Sequence, residues 1–202
     1  MRVIIALKLA ENIPELSCDY IGADKGALIL SRQKIHMVAS IGDFDSIEED
    51  ELNEIESNSD KIIRLNPIKD DSDSEAALNY AIEQGYDDIQ MYGAFGGRMD
   101  HSYYNIRLAF MHPNLLTLHD NCNKVYALKE GVYKIKKDEY PYISFFTDSR
   151  AIISLDGFEY ELNHREIDPT SIYTLSNTIL NEEGTLNIEK GVVLVLQTKD
   201  KQ

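Results

Sequence analysis

Near residue 120 the chain changes its texture, and that change limits the possible folds more than any other feature. Before it, short apolar runs at 3–10, 20–23, 36–41, 61–65, 89–92 and 115–119 alternate with helical patterns. Ser46 with Glu49, and Ser72 with Glu75, have the spacing of capping boxes at helix starts. Gly85 and the pair His112-Pro113 stand where helices should stop. Strand and helix in alternation predict a largely parallel sheet covered by helices. After Asn121 the helical period disappears. Short apolar or alternating runs at 125–128, 132–135, 142–146, 151–155, 158–162, 173–175 and 192–197 are separated by glycine, proline and Asp156-Gly157. That spacing predicts a sandwich or barrel. The expected organisation is an α/β domain over 1–120 and an all-β domain over 121–202.

The charge balance narrows the function. The 202 residues carry 35 Asp and Glu against 20 Lys and Arg, a net charge of −15. Such a chain lacks the basic footprint that nucleic acid or an anionic membrane surface requires. The apolar start is interrupted by Lys8 and followed by Glu11, which makes it a first buried strand rather than a signal peptide or a membrane span. Cys18 and Cys122 fit no metal or disulfide spacing and are expected to be reduced, in a cytoplasmic protein.

The acids fall into two sets. Glu48, Glu49, Asp50, Glu51, Glu54 and Glu56 form the solvated face of one predicted helix. The others follow predicted strands: Asp24; Asp43 and Asp45; Asp70, Asp71 and Asp73; and Asp100. In an open α/β sheet the segments beyond the carboxyl ends of the strands line the ligand crevice. Carboxylates gathered there repel one another unless protonated or bridged by a cation, and magnesium combines such oxygens with substrate phosphates. In Gly42-Asp-Phe-Asp-Ser46, an extended backbone would aim Asp43 and Asp45 the same way and turn Phe44 inward. The loop Gly93-Ala-Phe-Gly-Gly-Arg-Met-Asp-His101 follows a strand and opens a helix, which suits phosphate. Its Arg98 adds planar donors, and the Gly-Lys-Ser/Thr ending of a Walker A loop is missing. His101 is expected to make a local structural hydrogen bond.

Together these segments resemble the thiamine pyrophosphokinase family. The resemblance runs through Asp24-Lys-Gly-Ala27, Gly42-Asp-Phe-Asp-Ser46, Lys69-Asp-Asp-Ser-Asp-Ser-Glu-Ala-Ala-Leu78, the Gly93 to His101 loop with Asn105, and Ser176-Asn177. Lys25 stands where the family's first motif has a glycine, and the chain has no tryptophan to stack on thiamine, leaving that role to Tyr or Phe. The resemblance implies an α/β domain with a mostly parallel sheet followed by an all-β sandwich, assembled as a homodimer. It also implies magnesium-dependent transfer of pyrophosphate from ATP to the hydroxyl of thiamine, with release of AMP. Asp43, Asp45 and Asp73 would then hold the metal, while Lys69 and Arg98 neutralise phosphate oxygens. Asp24, Gly96, Gly97 and Arg98 would line the ATP site. Asp100 would orient or accept the hydroxyl proton, or serve as a further metal ligand. Ser176 and Asn177 would contact thiamine. Two other readings stay open: a different magnesium-dependent phosphotransferase or phosphohydrolase, and a nucleotide-binding sensor without turnover.

Overall fold

In the computed structural model, residues 1–66 and 72–201 are described. The chain forms two compact units: Met1–Asn105 with Leu118–Asp120, and Ile106–Thr117 with the residues from Asn121 onward.

The first unit is built on five parallel strands. They are β1 (Arg2–Ala6), β2 (Asp19–Ala23), β3 (Ala39–Gly42), β4 (Ile62–Arg64) and β5 (Asp88–Tyr92), in the spatial order β4-β3-β2-β1-β5. Strands β1 to β3 read as near-continuous apolar runs because helices cover the sheet. Helices α1 (Lys25–Arg32), α2 (Glu49–Ser57) and α3 (Asp73–Glu83) connect β2 through β5, and α4 (Met99–Met111) follows β5. Ile4, Leu30, Met37 and Ile55 are fully buried in the core. At Gly26 in α1 a Cβ would lie 1.9 Å from the Ala6 carbonyl oxygen, so only glycine lets the helix come this close to β1.

The cap at Ser72 is as expected, its hydroxyl accepting the Glu75 N–H at 3.3 Å. The cap of α2 lies two residues later than Ser46. Glu48 is its N-cap, and the Glu51 carboxylate accepts the Glu48 N–H at 3.2 Å. Residues 45–47 form a turn instead of a first helical turn.

The strand order reverses between β1 and β5. The chain runs outward from β1 to β4, then returns through α3 to place β5 on the other side of β1. Such a switch point opens a crevice at the carboxyl ends of the two strands.

The second unit is a sandwich of antiparallel strands. Strands β7 (Asn123–Leu128), β13 (Val193–Thr198) and β9 (Tyr142–Phe146) pair in that order. A four-stranded sheet has the order β11 (Leu162–Ile167), β10 (Ala151–Asp156), β12 (Glu183–Lys190), β8 (Gly131–Lys136). Phe145, Val193 and Val195 from the first group meet Ile153, Leu186 and Ile188 from the second in one core. The expected strand at 158–162 is absent. Phe158 is instead a core anchor, fully buried and edge-on to Phe145 at 5.6 Å, with one isolated bridge to Ile179. Residues 173–175 form no strand either. Strand β6 (Leu116–His119) gives Leu118 and His119 to the first unit. No helix among the described residues is long and apolar enough to cross a membrane.

Candidate active site

A cavity of about 530 Å³ opens at the switch point of the first unit. Leu7, Lys8 and Leu9 line it from the turn after β1, and Gly93, Ala94, Gly96, Gly97 and Arg98 from the loop after β5. Asp24 enters after β2, Asp43 after β3, and Ser72, Asp73 and Ser74 at the start of α3. Segments far apart in sequence thus meet because each follows the carboxyl end of a parallel strand.

Asp24 is held in an unusual backbone conformation, φ 49° and ψ −122°, at the N-cap of α1. Its Oδ1 is buried and has no hydrogen-bond partner among the described residues. A buried carboxylate oxygen without a donor is costly unless a ligand or cation satisfies it. Asp43 accepts the Asp45 N–H on Oδ1 at 3.1 Å. Phe44 between them is buried as expected, but its φ of 58° bends the chain. The extended geometry expected for Asp43 and Asp45 is therefore absent: Asp43 lines the cavity, whereas Asp45 is exposed and outside the lining. Burial, and then the charges of Asp24 and Asp43, push the Asp73 carboxyl above the ordinary range.

These residues suit a hard divalent cation in donor chemistry. Asp24, Asp43 and Asp73 offer only carboxylate oxygens, and one of those oxygens is buried without a donor. Among the described residues, no three or more such side chains are already drawn together at metal-binding distance.

The glycine loop is fixed from three sides. The His119 carbonyl accepts the N–H groups of Gly93 and Ala94 at 2.9 and 3.2 Å. The buried Asn105 amide donates to the Ala94 carbonyl at 2.8 Å and accepts the Ser74 hydroxyl at 3.1 Å, tying the loop to α3. The Ser102 hydroxyl accepts the Gly96 N–H at 3.2 Å. Gly93 has φ 79°, and a Cβ there would sit 2.3 Å from the Ala10 nitrogen, so loop and turn can meet only at glycine.

Arg98 and Asp100 are exposed and form a two-point ion pair. Nε lies 3.1 Å from Oδ1, and Nη2 meets Oδ2. Arg98, with the His101 N–H donating at 3.0 Å, holds the Asp100 carboxyl down at about 2. Asp100 faces a second cavity of about 290 Å³ that shares Ser72, Ser74, His101 and Asn105 with the first. His101 lines both cavities, and among the described residues its local hydrogen bond is made by the backbone N–H to Asp100 rather than by the ring. Lys69 lies outside the described residues.

Ser176 and Asn177 differ from each other. Asn177 is buried, its amide donating to the Tyr160 carbonyl at 2.8 Å while its Oδ1 accepts the N–H groups of Tyr160 and Thr178 at 3.0 and 2.9 Å. Ser176 is exposed with φ 56°, and its N–H donates to Ser144 Oγ at 3.0 Å. Asn177 thus sets the loop, and Ser176 is the residue presented.

Sequence reasoning missed Lys8, which it took only as an interruption of an apolar run. The available signal was a lysine just beyond the carboxyl end of a buried strand. Ser74 and Ser102 gave no signal, because serine near a helix start reads as capping.

The fold and crevice define a two-part protein: an α/β unit whose switch-point crevice is lined by carboxylates and a glycine loop, and a separate β-sandwich. Comparison with known proteins agrees. Residues 14–118 match the thiamin pyrophosphokinase catalytic domain, and residues 132–193 match the thiamin pyrophosphokinase vitamin B1 binding domain. Over 187 residues the chain is 36% identical to the thiamine pyrophosphokinase of Bacillus subtilis, covering 90% of this chain and 87% of that protein. The crystal structure of a Bacillus subtilis thiamine pyrophosphokinase superposes with a TM-score of 0.89 at 32% identity, over 100% of both chains. A thiamin pyrophosphokinase family protein from Enterococcus faecalis gives 0.90 at 26%, again over 100% of both. The chain belongs to the thiamine pyrophosphokinase family.

Proposed function

We propose that this chain moves the β,γ-pyrophosphoryl unit of ATP to the hydroxyl of thiamine, giving thiamine diphosphate and AMP. The observation that carries this reading is the convergence of Asp24, Asp43 and Asp73 with the glycine loop and Arg98 on one switch-point crevice. Magnesium bound there would neutralise phosphate charge, and Asp43, Asp73 and Asp24 are the residues that would hold it. Asp24 takes the place expected for Asp45, since Asp45 faces solvent.

The protein's own groups then position and polarise. Backbone N–H groups of the glycine loop, with the N-terminus of α4 beyond them, meet phosphate oxygens. Arg98 stabilises charge that shifts onto the phosphates during transfer. Asp100 is a poor proton acceptor while Arg98 holds it near 2. When Arg98 turns to phosphate, that partner is lost and the carboxylate becomes basic enough to orient or accept the thiamine hydroxyl proton. Lys69 neutralises phosphate from the segment before α3. In the second unit the Ser176 hydroxyl contacts thiamine, with Asn177 fixing the loop behind it. The reading includes a homodimer, so that thiamine is bound between subunits, and a cytoplasmic location.

Incubation with ATP, magnesium and thiamine tests the reaction. Equal amounts of AMP and thiamine diphosphate are expected, with no accumulation of thiamine monophosphate and no AMP without thiamine. ADP as the main nucleotide product, or AMP formed equally well without thiamine, would replace this reading by another phosphotransferase or a hydrolase. Nucleotide binding without any AMP would leave a sensor.

A further inference from the structure

We propose that Lys8 binds the pyrophosphoryl end of the nucleotide, as a phosphate-binding cation in addition to Arg98 and Lys69. The inference rests on the reaction proposed above and assigns a residue in its nucleotide site. Lys8 occupies the turn after β1, one of the two strands that flank the switch point, and lines the same cavity as Asp24, Asp43 and Asp73. Its backbone is fixed. The Leu7 N–H donates to the Tyr92 carbonyl and the Ala10 N–H to the Leu7 carbonyl, both at 2.9 Å, and the turn packs directly on Gly93. The Leu9 side chain reaches over Gly96 and Gly97, its Cδ1 3.5 and 3.6 Å from where their Cβ atoms would be. The turn is therefore the facing lip of the phosphate loop.

Lys8 and Arg98 are the only Lys or Arg side chains lining this cavity among the described residues. Arg98 is engaged by Asp100, whereas Lys8 makes no ion pair among the described residues. A lysine that lines an acidic cavity without closing on a carboxylate keeps its three donors free for an incoming anion. Lining the same cavity as Asp73 puts Lys8 at the end of the nucleotide whose phosphates a cation held by these aspartates would share. Magnesium cancels only part of a triphosphate's charge, and a compact ammonium suits the remainder.

The test uses Lys8→Met and Lys8→Arg, with calorimetric binding of ATP, AMP and inorganic pyrophosphate in magnesium without thiamine. Lys8→Met should weaken ATP and pyrophosphate by about tenfold, the size of one partly screened charge-assisted hydrogen bond, and leave AMP unchanged. Lys8→Arg should restore most of the loss. In steady state the KM for ATP should rise while that for thiamine holds. Unchanged ATP and pyrophosphate affinity in Lys8→Met, or an equal loss for AMP, overturns the assignment. If wild-type protein binds pyrophosphate through Lys8 yet forms no thiamine-dependent AMP, the Lys8 assignment stands and the proposed reaction fails.

Discussion

Asp73 is where the chemistry of the crevice conflicts most with folding. Its carboxyl is raised by burial and then by Asp24 and Asp43, so the folded state holds its proton more tightly than the unfolded chain does. Below the ordinary carboxylate range both states are protonated and nothing is lost. As pH climbs from that range through the raised folded value, stability falls, and the loss then persists at neutral pH. Asp73→Asn should therefore melt higher than wild type at neutral pH in chelator, and equally at low pH. The gain should be on the order of 2 °C, because a half-buried group is partly screened. Its turnover in magnesium should drop by about a hundredfold or more. A melting profile that responds identically to pH in both proteins would contradict the repulsion. Asp100 shifts the opposite way. Held near 2 by Arg98, it should titrate near an ordinary value of about 4 in Arg98→Met, read from the carboxylate carbon by NMR. A carboxyl that stays near 2 without Arg98 would remove the argument that freeing Arg98 creates a base. Both aspartates were legible as acids placed after strands. The buried Oδ1 of Asp24 and the place of Lys8 in the cavity lining were not, because each depends on a neighbouring loop rather than on local pattern.

At the scale of elements, loops carry what the strands only support. Asn177 spends its whole amide on Tyr160 and Thr178, so Asn177→Ala leaves part-buried backbone groups of those residues without these partners. That should cost about 2 kcal/mol and lower the melting temperature by several degrees. Thiamine binding would weaken too, as a consequence of the displaced loop. Ser176→Ala should leave melting unchanged and raise only the KM for thiamine. If Ser176→Ala is silent while Asn177→Ala alters thiamine binding with no loss of stability, the two roles are reversed. The parallel strands were readable because burial on both faces demands continuous apolar runs. Strands β11 and β12 were not. The exposed edge strand β11 reads Leu-Asn-His-Arg-Glu-Ile, and β12 buries only Gly184, Leu186 and Ile188 in alternation. Phe158 misled in the other direction, since one large buried side chain in a loop looks like the centre of a strand. The helix cap at Glu48 was missed for a similar reason: glutamate rarely leads a helix, and Ser46 offered the more usual pattern.

For the whole molecule the dominant physical fact is a net charge of −15, with 22 acidic against 10 basic side chains in residues 1–120. Thiamine is a cation, and a negative field raises its local concentration; magnesium-bound ATP remains an anion and is opposed by the same field. Neither effect needs a contact, so both should be visible as a dependence on salt. Screening lengths fall from about 30 Å at 0.01 M to about 8 Å at 0.15 M, which removes most long-range attraction and repulsion. Raising a neutral monovalent electrolyte across that interval, at fixed free magnesium, should increase the KM for thiamine and decrease that for ATP, each by a few-fold. Neutralising exposed acids outside the cavity lining, for example Glu49→Gln with Glu54→Gln and Glu56→Gln, should flatten both slopes while leaving kcat unchanged at saturation. The opposite signs are what make the measurement decisive: a general effect of salt on folding or metal affinity would move both constants the same way. If thiamine and ATP respond in parallel, the acidic surface is a matter of solubility alone, and selection between the two substrates lies entirely within the crevice.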